Sequence, residues 1–319
     1  MASNIGESYI RPMVSPNASI RRATLLIVIS AFSFGSISVL TVLITSTGVT
    51  LLTAMAWRYV VGAILLGPLV SRGDLRWIPR KRIFQLLLIG GCGQALITYI
   101  SLHALDYIPV GPLAFLFYTY PAWVALLAAV RRTEKLTPVR VFALMLALVG
   151  VTVMVGTPTK KLNPIGVALA LASALLYSAY LPTLEQVQKG VPARLATFLL
   201  TVGAAVAFVI SALFARELSL SAGIAVWMNI FLLASVSTAI AFSSLLKGLA
   251  VLGPVRTSII ATVEPFFTAV LGVLVLGNRP STATLIGGVL IAGAILVIEW
   301  SSQTTVIVSS PNVSADRFQ

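Results

Sequence analysis

The chain has 319 residues, of which 58% are hydrophobic and only 10% charged, with a mean hydropathy of +1.00. Soluble domains carry about 25% charged residues, so this composition excludes a water-soluble enzyme and makes lipid the expected solvent. A net charge of +13 would fit a nucleic-acid partner, but the basic residues stand in short connections between apolar runs, as membrane topology requires, and no nucleic acid is expected.

In chain order, apolar runs of about 20 residues predict ten spans. They lie near 23–45, 51–70, 83–103, 109–130, 138–156, 164–182, 195–214, 224–246, 254–276 and 282–299. All are expected to be helices, because the hydrocarbon region has no water to satisfy backbone groups and the runs are too uniformly apolar for barrel strands. Nine spans follow the first, so a cleaved signal peptide is not expected. Residues 1–22 and 300–319 are polar and are expected to form disordered tails. Lys and Arg number 17 on the side of the tails and 4 on the other, with Arg58 inside a span. That contrast predicts both termini in the cytoplasm and an even number of spans. On that side, Asn17-Ala18-Ser19 and Asn312-Val313-Ser314 match the glycosylation pattern by chance alone. The single cysteine, Cys92, and the single histidine, His103, leave no disulfide framework and no metal cluster, so no cofactor is expected.

A shift of 144 residues lays Tyr120-Pro121 over Glu264-Pro265 and residues 104–109 over 248–253. The chain therefore reads as two five-span repeats, 23–156 and 163–299. Five is odd, so the second must be inverted relative to the first, as in secondary transporters. Duplication in a channel or scaffold is the alternative.

Several features carry a resemblance over nearly the whole chain. They are Phe32-Ser33-Phe34-Gly35, Trp57-Arg58, mid-span Pro121, then Glu134-Lys135-Leu136-Thr137, and Glu264-Pro265 in the second half. In this order they resemble the EamA-type members of the drug/metabolite transporter superfamily. The resemblance implies ten helices in two inverted five-helix repeats and an inner-membrane exporter of amino acids or related metabolites, with relatives that carry sugar phosphates or nucleotide sugars. One departure is Asn278, where the family often repeats the glutamate seen at Glu134; it reads as a change of loop capping.

Glu264 is the most informative residue. It falls near the bilayer midplane, where an acidic group costs about 2.5–3.5 kcal/mol, so it is expected to face a partner or a water-filled cavity. Thr257, Ala261, Glu264 and Thr268 share one helix face. Pro265 and, in the first half, Pro121 each remove a backbone donor at this depth, and paired interruptions of this kind point to a central binding site. A structural kink around a buried carboxyl is the alternative. Arg58, the other intramembrane charge, is placed to contact Glu264 in one transport state. Otherwise it reaches outer headgroups or free carbonyls.

Further candidates lie on helical stripes: Ser30, Phe34, Ser38, Thr41 and Thr45; Gly90, Gln94, Thr98 and Ser101; Ser173, Tyr177 and Tyr180; Ser237, Ala241 and Ser244. With Tyr118, Tyr120 and Trp123 they would line an aromatic and hydroxylic cavity, although such stripes also serve helix packing. Gly287, Gly288 and Ala292 offer a small surface for packing or a weak dimer. His103, Asp106 and Lys247 are either interfacial anchors or gating groups, and Trp77 and Trp300 read as headgroup anchors.

The expected function is export of a small amphipathic metabolite, foremost an amino acid, by alternating access. The partners are that solute and the bilayer, and the protein is a monomer or weak homodimer. A sugar-phosphate or nucleotide exchanger would need more internal cations than Arg58. An intramembrane enzyme would need a catalytic set that is not present, and a scaffold or sensor would bind without flux.

Overall fold

The computed structural model describes residues 16–309 except 105, 109, 135, 156–161, 220–222 and 278–281. Lys135, Lys160, Lys161, Asn278, Arg279 and the Asn312-Val313-Ser314 sequon therefore lie outside the described residues. Among the described residues every regular element is a helix.

Ten helical units correspond one to one to the predicted spans. These are α1 (Pro16–Thr45), α2 (Leu51–Leu66) and α3 (Arg80–Gln85, Leu86–Cys92 and Gly93–Ala104, continuous), followed by α4 (Val110–Phe117 and Tyr120–Val130) and α5 (Pro138–Val155). The second half has α6 (Pro164–Gln188), α7 (Ala193–Phe214) and α8, which begins as Ile224–Ala234 and Ser235–Ile240 and runs on to a break at Gly253. It closes with α9 (254–261, then Glu264–Leu276) and α10 (Thr282–Ser309). Eight stretches are long and apolar enough to cross a membrane, one of them the 38-residue Ile224–Ala261, while Pro138–Met154 and Glu264–Leu276 are shorter. Gly253, at φ 73 and ψ 170, divides that long stretch into two crossings; this backbone conformation favours glycine.

Three differences from the sequence reading have clear causes. First, the described part of α1 begins at Pro16 rather than 23 and that of α10 extends to Ser309 rather than 299, because a nucleated helix continues through solvated residues such as Arg21 and Arg22. Second, α6 passes through Pro182, where the span was expected to end, and reaches Gln188. Third, α4 and α9 are broken rather than kinked. Thr119 and Val263, both at φ −72 and ψ −14, precede fresh helices that carry Pro121 and Pro265 in their first turn, where a missing amide costs nothing.

The packing respects the repeat. Helix α1 packs on α8 and α9, and its counterpart α6 packs on α3 and α4; α2 meets α8 as α7 meets α3; and α2 with α7, α4 with α9, and α5 with α10 pair across the pseudo-two-fold axis. In the last pair Gly150 and Gly287 press backbone to backbone, and Gly288 receives the Phe266 ring, so the small surface of α10 is used within the chain. Thr24 Oγ1 donates to Glu299 Oε2 at 2.7 Å, which places the start of α1 and the end of α10 at one end of the bundle. An even number of crossings requires this. At this terminal end Arg194 holds Asp74 (2.8 Å) and Arg82 donates to the Gln186 carbonyl (3.1 Å). The Arg194 hydrogen bond keeps the Asp74 carboxyl below its usual range, so the clamp is lost only as pH falls through that lowered value.

Candidate functional site

A cavity of about 460 Å³ lies between α1, α2, α3, α4, α6, α8 and α9. Its wall on α1 runs from Ser30 to Thr45, on α2 from Leu51 to Arg58, and on α3 through Gln94 and Thr98. These segments extend from mid-bundle to the end bearing residues 46–50, opposite the terminal end. Toward the terminal end Ala23, Ile27 and Ala31 are at most 1% exposed, and α1 closes on α8 where Ile27 touches Gly248 and Ser30 Oγ donates to the Ala241 carbonyl (2.9 Å).

Of the sequence candidates, Glu264, Arg58, Tyr120, Gln94, Thr98 and Tyr177 line this space together with the α1 stripe of Ser30, Phe34, Ser38, Thr41 and Thr45. Glu264 is the first residue of the second α9 segment, so its carboxylate sits at a helix N-terminus, whose partial positive charge favours an anion. The Tyr118 phenol faces the same carboxyl. Arg58 is 3% exposed; its Nη2 donates to the Ser237 carbonyl at 2.7 Å and its Nε to Thr238 Oγ1 at 2.9 Å. Nη1 has only the soft Met55 sulfur at 3.7 Å. Among the described residues Arg58 and Glu264 form no ion pair within 4.0 Å, although each feels the other's charge. In this state, therefore, the anticipated Arg58–Glu264 contact is replaced by a bond to a carbonyl.

That carbonyl has a structural origin. Residues Ser235–Ile240 of α8 and Leu86–Cys92 of α3, the matching third helix of each half, are π-helical. A π turn displaces carbonyls from the regular ladder. Arg58 takes one at Ser237, and the Tyr180 hydroxyl takes one at Gly90 (3.0 Å).

The remaining candidates lie off the cavity wall. Ser237 Oγ pairs with Ser36 Oγ (2.7 Å), Thr268 Oγ1 donates to the Glu264 carbonyl (3.1 Å), Thr257 is fully buried, and Tyr180 packs behind Tyr177 with centroids 5.9 Å apart. Pro121 and Pro265 are both buried, in the first turns of their segments. The whole α1 stripe lines the cavity, whereas α8 contributes Phe242 and Leu245 instead of Ser237, Ala241 and Ser244. His103 bonds Asp106 at 2.8 Å between Tyr99 and Tyr107, at the 46–50 end and away from the cavity. Trp77 and Trp300 are 89% and 75% exposed, Trp300 within α10 rather than at its end. Sequence reasoning missed Met55, Phe117, Phe242 and Leu245, because apolar side chains in a span give no signal separating a cavity wall from a lipid face. The aromatic wall is ordered: Tyr120 and Tyr177 meet edge to face at 4.7 Å, Phe117 lies 5.5 Å and 5.6 Å from them, and Phe34 meets Phe242 at 5.0 Å.

Both halves match one family description, the EamA-like transporter family, over residues 21–156 and 164–300. The chain belongs to the EamA-like transporter family. It is a multi-pass membrane protein of two EamA repeats. The chain is also similar to a riboflavin transporter from Brucella anthropi, 26% identical over 158 residues, which is 49% of this chain and 55% of the relative. It thus spans about half the length of that relative. A solved crystal structure covers 89% of the chain, and the chain covers 98% of it, at 20% identity and a TM-score of 0.74; this likeness concerns the fold alone.

Proposed function

We propose that this EamA-family protein is a secondary transporter that exports a small zwitterionic metabolite, foremost an amino acid with an aromatic or large apolar side chain, by alternating access about the central cavity. One observation carries the proposal: a carboxylate, Glu264, and a guanidinium, Arg58, share the wall of one cavity without pairing with each other. Among the described residues neither group has an ionic partner, and a ligand with both an ammonium and a carboxylate supplies the two at once. Glu264 receives the ammonium and Arg58 Nη1 the carboxylate. Thr41 Oγ1, buried on the cavity wall with no hydrogen-bond partner among the described residues, offers a further polar contact. The Phe117, Tyr120 and Tyr177 rings receive the apolar body.

Two further points support this reading. A phosphorylated sugar would require several cations, and Arg58 is the sole Lys or Arg on the described wall. With the basic side in the cytoplasm of an inner membrane, the cavity faces outward, as it does after an exporter releases its cargo.

The test is flux in proteoliposomes across amino acids, riboflavin and a sugar phosphate. Phenylalanine-like amino acids should move, and Glu264→Gln should abolish their flux while leaving insertion intact. Transport of riboflavin or sugar phosphate alone, or unimpaired flux in Glu264→Gln, would overturn the proposal.

A further inference from the structure

A second cavity, of about 480 Å³, lies at the terminal end between α4, α6 and the α8–α9 turn, and Glu134, Gly253 and Pro254 are in its wall. Glu134 belongs to the first half, in the α4–α5 corner. Its Oε1 accepts from the Val255 amide of the second half at 3.4 Å, and its Oε2 binds Arg140 at 3.1 Å. Both partners of that ion pair are over four-fifths shielded, with side-chain exposures of 18% and 17%. The position of this contact is informative. Gly253 ends α8 in a left-handed conformation, α9 begins at once, and a cation, Arg256, occupies its first turn, where the helix dipole disfavours positive charge. No acidic residue of 253–261 offsets it. Two carboxylates do so, Glu134 from the opposite half and Glu299 from the same half, against the opposing charge of Arg140.

We propose that Glu134 is a latch between the halves, a positioning residue that keeps the terminal end shut while the central cavity faces the other end. The second cavity is then the closed mouth of the same path. This inference rests on the alternating-access reading above. The latch is one-sided in sequence: a shift of 144 residues puts Asn278 and Thr284 in place of Glu134 and Arg140, so the second half does not repeat this charged pair. In the absence of substrate the equilibrium therefore favours closure at the terminal end.

Single-cysteine labelling in a Cys92→Ser background, with phenylalanine as the added substrate, tests this. Thr45→Cys reports on the open mouth, and Ala128→Cys, a buried position in the wall of the second cavity, reports on the closed one. Glu134→Gln and Glu134→Ala should slow maleimide labelling at position 45 and speed it at 128, by at least about threefold, as loss of a charge-assisted contact in a two-state equilibrium would give. Glu134→Asp should restore the wild-type pattern. If Glu134→Ala does not fold, Glu134→Gln with its Asp control decides the matter. Reciprocal labelling changes with added substrate but none with the Glu134 variants would overturn the latch alone. Reporters that never change, with substrate or variant, would overturn the alternating-access reading beneath it.

Discussion

At the scale of single residues, Glu264 was legible because an intramembrane carboxylate is too costly to be incidental. Its helix-start position was not, because the break at Thr262 and Val263 has no glycine or other unmistakable signal. Arg58 was legible as a charge, and of the partners weighed for it this state shows a free carbonyl, released by a π turn that no local motif announces. The arginine therefore serves both the fold and the cavity. Its planar fork reaches Thr238 and Ser237 together and leaves Nη1 for the carboxylate of the proposed substrate, whereas an ammonium offers one compact point of charge. Arg58→Lys is expected to keep the protein folded with a lowered melting temperature and to weaken substrate binding about tenfold or more, equivalent to about 1.4 kcal/mol. Thermal unfolding with and without ligand separates the two effects, and unchanged affinity would confine Arg58 to a structural role.

At the scale of elements, the ten spans could be read from apolar runs because bilayer thickness fixes their length. Their irregularities could not. A proline within a run is compatible with a kinked helix or with the first turn of a new one, and tertiary packing chose the second at Pro121 and Pro265. The π segment of α3 has a steric counterpart on α7: a Cβ at Gly203 would fall on the Leu87 carbonyl, and one at Gly91 would fall on the Gly203 backbone. At this crossing the two helices therefore meet backbone to backbone, at a depth where lipid supplies no hydrophobic drive and close packing must hold them together. Gly203→Ala is expected to destabilise the protein by about 1–3 kcal/mol, the usual range for overpacking. Unfolding in detergent measures this, and wild-type stability would show that the contact has room to spare.

At the scale of the whole molecule, the repeat found by a 144-residue shift reappears as paired packing. Helices α1 and α6 occupy equivalent places, and α2–α7, α4–α9 and α5–α10 meet across the axis. The aromatic and aliphatic part of the cavity wall stayed hidden because sequence order says nothing of which apolar face turns inward. The result is a cavity closed at the terminal end and lined to the 46–50 end, with one acidic and one basic side chain on its described wall. The measurement that bears most directly on this arrangement is ligand-induced thermal stabilisation with three matched compounds: phenylalanine, its amine without the carboxylate, and its acid without the ammonium. A ligand that binds the folded form alone raises apparent stability in proportion to its occupancy. The zwitterion should stabilise the protein strongly and each singly charged analogue weakly, with the difference lost in Glu264→Gln. Equal stabilisation by all three, or by neither the zwitterion nor its analogues, would contradict a site built from two separated opposite charges.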